Sequence, residues 1–133
     1  MGAPVSLDSS RRPLPAGADT AETQMRRCLD ALRSAGRIRL DEQESAALAY
    51  ALADVPAGEI ALFGSRVETG RRGGDIDLLV LADAPEFETA QQISTRFFSR
   101  CEEKIDVVVI DPRRSTPEQL DFLARIKRVP LTV

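Results

Sequence analysis

"ALFGSRVETGRRGGDIDLLVLAD" (residues 61–83) starts apolar, turns to Gly, Ser and Arg, and returns to an apolar run that holds Asp75 and Asp77. The pattern predicts two short strands, 59–63 and 75–81, joined by a loop over 64–74 that carries four glycines. On a strand, residues two apart share a face, about 6.6 Å from Cα to Cα. Asp75 and Asp77 therefore point the same way and Ile76 the other. A third run, KIDVVVI (104–110), sets Asp106 among apolar neighbours. If that strand pairs beside 75–81, the three acids converge.

Three carboxylates brought close repel one another, and their protonation is favoured. A divalent ion reverses the preference, and a hard, oxygen-rich set suits Mg²⁺ or Mn²⁺. Two such ions can bind a triphosphate and activate an attacking hydroxyl. The chain contains no histidine, so the commonest general base and the usual zinc ligands are absent from it. Asp106 is then the natural proton acceptor or hydroxyl-positioning group. Gly64 lets a phosphate approach the backbone, and the Ser65 hydroxyl with neighbouring N–H groups can bind its oxygens. Arg66 is expected either to hold phosphate or to pair with Glu68.

Around this centre the 133 residues suit one domain, 43% hydrophobic and 29% charged. Residues 1–18 read as a mobile tail and 19–133 as a single domain, with a helical segment at 19–56 and a catalytic core at 57–133. The periodicity predicts helices over 20–35, from 41 to before Pro56, after Pro85 and after Ser115 or Thr116. Phe87, Ile93, Phe97 and Phe98 fall on the apolar side of the third helix, and Leu120, Leu123 and Ile126 face inward on the last. A short closing strand is expected within 129–133. Tyr50, Phe97 and Phe98 read as core.

The net charge is -3 and the pI about 5.1, which does not recommend nucleic acid as a partner. Arg71–Arg72, Arg113–Arg114 and 125–128 read as solvated faces. Cys28 and Cys101 have no metal-ligand spacing and read as structural thiols. No apolar run approaches a membrane span and no signal-peptide core is visible, so a cytoplasmic location is the default expectation.

"GSRVETGRRGGDIDLLV" and "KIDVVVID" together resemble the signature of the DNA polymerase β-like nucleotidyltransferase superfamily: Gly-Ser, a loop, Asp-x-Asp, and a third acid on a later strand. The small size is similar to its minimal branch, MNT, whose members are commonly antitoxins paired with HEPN-type toxins. The resemblance covers residues 59–111, with a further match in "LARIKRVPLTV". The family's more usual loop is one residue longer and has Ser where this chain has Gly74. The resemblance implies an α/β (α+β) fold, a small mixed sheet with helices mainly on one face and the site at a sheet edge. It implies NMP transfer from an NTP, expected to be ATP, with Mg²⁺ or Mn²⁺. Gly64, Ser65 and Arg66 would bind nucleotide; Asp75, Asp77 and Asp106 would ligate metal, Asp106 also helping to activate the acceptor. The expected partner is a HEPN-type toxin or another small helical protein. A non-catalytic antitoxin acting by contact and a small-molecule transferase are the competing functions. The acceptor and the oligomeric state are open at this level.

Overall fold

The computed structural model describes residues 20–55 and 58–131. The expected N-terminal tail, Pro56 and the last two residues lie outside them. Helix α1 (Ala21–Ser34) starts at Thr20, whose hydroxyl accepts from the Thr23 N–H. Helix α2 (Glu42–Leu52) starts at Asp41 with a capping box completed by Glu44. Strand β1 (Gly58–Phe63) runs into a 3-10 turn (Gly64–Val67), and the loop returns into β2 (Ile76–Ala82). Helix α3 (Glu86–Phe98) crosses to β3 (Ile105–Ile110). Helix α4 (Pro117–Arg125) follows, capped by Thr116 with Gln119 and with Pro117 in its first turn, and β4 (Arg128–Pro130) closes the chain.

The sheet order is β3-β2-β1-β4. Strands β1 and β2 are antiparallel, β1 and β4 antiparallel, and β2 and β3 parallel, the last pair joined through α3. Period-two alternation divides the sheet into two faces. Leu62, Ile76, Leu78, Val80, Val109 and Val129 point into one core with Met25 and Leu29 of α1, Leu48 and Leu52 of α2, and Ile93 and Phe97 of α3. Each such side chain, fully buried, contributes about 1.5–3 kcal/mol. Helix α4 meets the other face, where Phe122 stands edge-on to Phe63 at 5.4 Å between ring centroids. The mixed sheet with helices mainly on one face is the expected architecture.

Three apolar assignments differ. Phe87 is 72% exposed, Leu120 57% and Phe98 50%. Helix α3 turns only one stripe to the core, Thr89, Ile93 and Phe97, and Phe87 and Phe98 fall beside it, Phe98 edge-on to Phe97; α4 buries none of its side chains fully. Tyr50 is half-buried beneath two guanidiniums, Arg96 at 4.0 Å and Arg100 at 3.7 Å from its ring centre, rather than among aliphatic side chains. Cys28 and Cys101 are both free thiols, and burial pushes the Cys28 thiol up.

Candidate active site

One row of residues crosses the sheet at its loop end. Asp106 on β3 pairs with Asp77 on β2, Asp77 with Phe63 on β1, and Phe63 with Arg128 on β4. Paired residues share a face, so Asp77 and Asp106 stand side by side on the face opposite the aliphatic core. Asp75 lies just before β2, in the last residue of the loop. The parallel β2–β3 pairing that brings the acids together is thus present.

The convergence is electrostatic rather than a closed cage. Burial first, and then the charges of Asp106 and Asp75, hold the Asp77 carboxyl above the usual carboxylate range. No ion pair reaches any of these three carboxylates among the described residues. Nor, among the described residues, do three Asp, Glu or Cys side chains already stand at metal-ligating separations. The donor set still fits a hard divalent ion in its chemistry: oxygen ligands only, mutually repelling, with negative charge that no cation among the described residues pairs with.

Gly64 has a φ of 73°. A Cβ at this position would run into Oδ2 of Asp77, so a side chain here would displace the acid as well as strain the backbone. The local reason for glycine is therefore the Asp77 carboxylate, a reason that the expectation of phosphate access did not include. Ser65 is half-buried beside Asp75, its Oγ 3.5 Å from the Asp75 carbonyl. A side chain at position 74 would meet that same Oγ. A serine at 74, the residue of the usual signature, would have to displace the Ser65 hydroxyl and adopt a left-handed backbone. Gly73 and Gly74 hold left-handed conformations at φ 63° and 89°.

Arg66 does not pair with Glu68, which binds Arg71. The Arg66 guanidinium is buried, and each of its five N–H donors meets a protein acceptor. Nε donates to the Gly74 carbonyl (3.0 Å), and Nη1 to the Arg39 carbonyl and Glu44 Oε1 (both 2.9 Å). Nη2 donates to Glu44 Oε2 (3.0 Å) and Glu103 Oε2 (3.3 Å). No donor is left over for a phosphate. Burial alone would raise the Glu44 carboxyl, but bonds from Arg66 and from the Asp41 N–H outweigh it and hold the carboxyl below its ordinary range.

Glu44 and Arg39 were not foreseen as parts of this region. The spacing of Asp41 and Glu44 signals a capping box, which Glu44 Oε1 does complete at 2.8 Å from the Asp41 N–H. Its bidentate bond to Arg66 joins residues far apart in sequence, and no local pattern marks it. Arg113, paired with Asp83, and Arg125, paired with Asp121, behave as solvated faces, whereas Arg128 is half-buried on β4 and donates to Glu59 and to the Leu123 carbonyl.

No curated protein matches the chain. A family model described as a nucleotidyltransferase domain matches residues 48–130, well over half of the length, from within α2 to the end of β4. The matched span contains Gly64, Ser65 and all three acids in the order and placement just described, and the chain belongs to the nucleotidyltransferase domain family of the DNA polymerase β-like superfamily, whose general activity is NMP transfer.

Proposed function

We propose that the protein is a minimal nucleotidyltransferase that moves NMP from an NTP, ATP first among them, to a hydroxyl on a protein partner, and that it serves as the antitoxin of a HEPN-type toxin. The observation that carries the reading is the set of three carboxylates without a cation partner among the described residues, beside a Gly-Ser turn. Asp75, Asp77 and Asp106 would hold Mg²⁺ or Mn²⁺, which when bound offsets their charge and that of the triphosphate and polarises the α-phosphate. The Ser65 hydroxyl binds phosphate oxygens, and Gly64 leaves room both for them and for Asp77. Asp106, exposed on the edge strand, takes the acceptor hydroxyl proton. A bond forms from the acceptor oxygen to the α-phosphorus, the bond from that phosphorus to the bridging oxygen breaks, and pyrophosphate leaves.

The second reading is neutralisation by contact alone. Phe87 and Leu120 favour it, both exposed, on helix starts joined by the bond from Gln119 to Glu86. The two readings separate in one experiment. The protein is mixed with ATP, Mg²⁺ and the product of the neighbouring gene, and the partner is weighed by mass spectrometry. Wild type is expected to add a nucleotide mass, and Asp106→Asn to add none while still pulling the partner down. Neutralisation without added mass, persisting in Asp106→Asn, would leave contact as the function.

A further inference from the structure

Residues 64–75 leave the sheet and come back, and the two limbs must stay in register for Ser65 and the acids to face one ligand. One side chain spans both limbs. Arg39, between buried Ile38 and Leu40, donates from Nη2 to the Ser65 carbonyl at 2.6 Å and to the Gly73 carbonyl at 3.2 Å. Its Nε donates to the Glu68 carbonyl at 2.8 Å. Ser65 and Glu68 belong to the outgoing limb and Gly73 to the returning one. The Arg39 backbone is itself anchored: its N–H donates to the Arg66 carbonyl at 2.8 Å, and its carbonyl accepts from Arg66 Nη1. Arg66 then takes the next carbonyl of the returning limb, Gly74.

From this bridge we infer that Arg39 is a positioning residue for the candidate active site, holding the Gly-Ser turn and the strand start at Asp75 together so that metal and triphosphate meet a preformed surface. The inference rests on the proposed reading of the three acids. The physical reason lies in peptide geometry. In a trans peptide the carbonyl and the following N–H point opposite ways. Carbonyls of Ser65, Gly73 and Gly74 drawn toward the two guanidiniums leave the N–H groups of Arg66, Gly74 and Asp75 facing away from them. Left-handed glycines at 73 and 74 permit that arrangement, and successive N–H groups so presented suit an anion. Arginine is required because its planar fork supplies several donors in fixed directions; an ammonium is a single point charge on a flexible stem.

The test measures binding of Mn²⁺ with ATP by the full chain, through calorimetry and the electron paramagnetic resonance of free Mn²⁺, for wild type, Arg39→Met, Arg39→Lys and Arg37→Met. Arg37 is exposed and serves as the charge control. Loss of a group that orients metal ligands typically weakens binding by about 10–100-fold. Arg39→Met is expected to weaken the Mn²⁺-dependent part of ATP binding by about tenfold or more, Arg39→Lys by less, and Arg37→Met by little, with cooperative unfolding retained. Equal affinity in folded Arg39→Met overturns the inference and leaves the proposed function standing. If Arg39→Met does not fold, Arg39→Lys decides: weaker binding at an unchanged melting temperature supports the role, and equal binding overturns it. Absence of Mn²⁺-dependent binding by wild type removes the proposed function and this inference with it.

Discussion

Two charge clusters border the same loop and are treated in opposite ways. Arg66 and Glu44 are nearly enclosed, at 4% and 6% exposure, and every guanidinium donor has an acceptor. Asp75, Asp77 and Asp106 are neighbours with no cation paired to them among the described residues, and Asp77 is pushed toward its protonated form. A buried pair can be complete in itself, because each ion offsets the cost of burying the other. A cluster of like charges cannot be, and under the proposed function metal and nucleotide complete it. The difference distinguishes a structural ion pair from a binding site more sharply than charge or conservative spacing does.

The largest effect is expected on breaking the enclosed cluster. Arg66→Ala leaves Glu44 buried and unpaired, at a cost of about 3–5 kcal/mol in chemical denaturation. Acid should weaken the same cluster. The Glu44 carboxyl sits below its unfolded value, so its contribution is present above the ordinary carboxylate range and is lost as pH falls through the lowered folded value. A wild-type acid transition unchanged by Glu44→Gln would show that the pair is not the acid-sensitive element.

Gly64→Val comes next. It places a β-branched residue in a left-handed conformation and drives its Cβ into the Asp77 carboxylate. A loss of about 1–3 kcal/mol is expected from the backbone, together with loss of metal-dependent nucleotide binding. Unchanged binding in a folded variant would mean that neither the glycine nor the position of Asp77 matters to the ligand.

Removing charge from the open cluster should have the opposite sign. Asp77→Asn relieves repulsion and is expected to raise stability by about 1 kcal/mol at neutral pH without metal. The sign follows from the raised carboxyl: stability linked to Asp77 is highest where the group is protonated and falls as pH rises through its folded value. The asparagine variant should therefore gain on wild type as pH increases, which melts across a pH series would check. Smallest of all, Phe87→Ser, at a largely solvated ring, should change stability by no more than about 0.5 kcal/mol. A larger loss would mean that Phe87 is covered in solution.

Much of this was legible in the sequence because it rests on local rules. Asp41, Thr116 and Pro117 mark helix starts through capping chemistry, and alternation in IDLLV and IDVVV separates the acid face from the core face. The pairing of Asp77 with Asp106 was within reach once two strands were assigned as neighbours. The Arg66–Glu44 bond and the grip of Arg39 were not, because they depend on how α2 packs under a loop more than twenty residues further along. Phe98 misled because it lies about 100° round the helix from buried Phe97, at the side of the stripe, and Leu120 because α4 buries none of its side chains fully.

The contrast between the two clusters meets its most direct test in thermal unfolding with Mn²⁺ and ATP. A ligand that binds only the folded chain stabilises it by about 2.7 kcal/mol at a hundred times its dissociation constant. Wild type is expected to melt several degrees higher with both present, to lose the gain when EDTA is added, and to show no comparable gain in Asp77→Asn. An equal shift in wild type and Asp77→Asn, or none in either, would contradict the assignment of the open carboxylates as the site that metal and nucleotide complete.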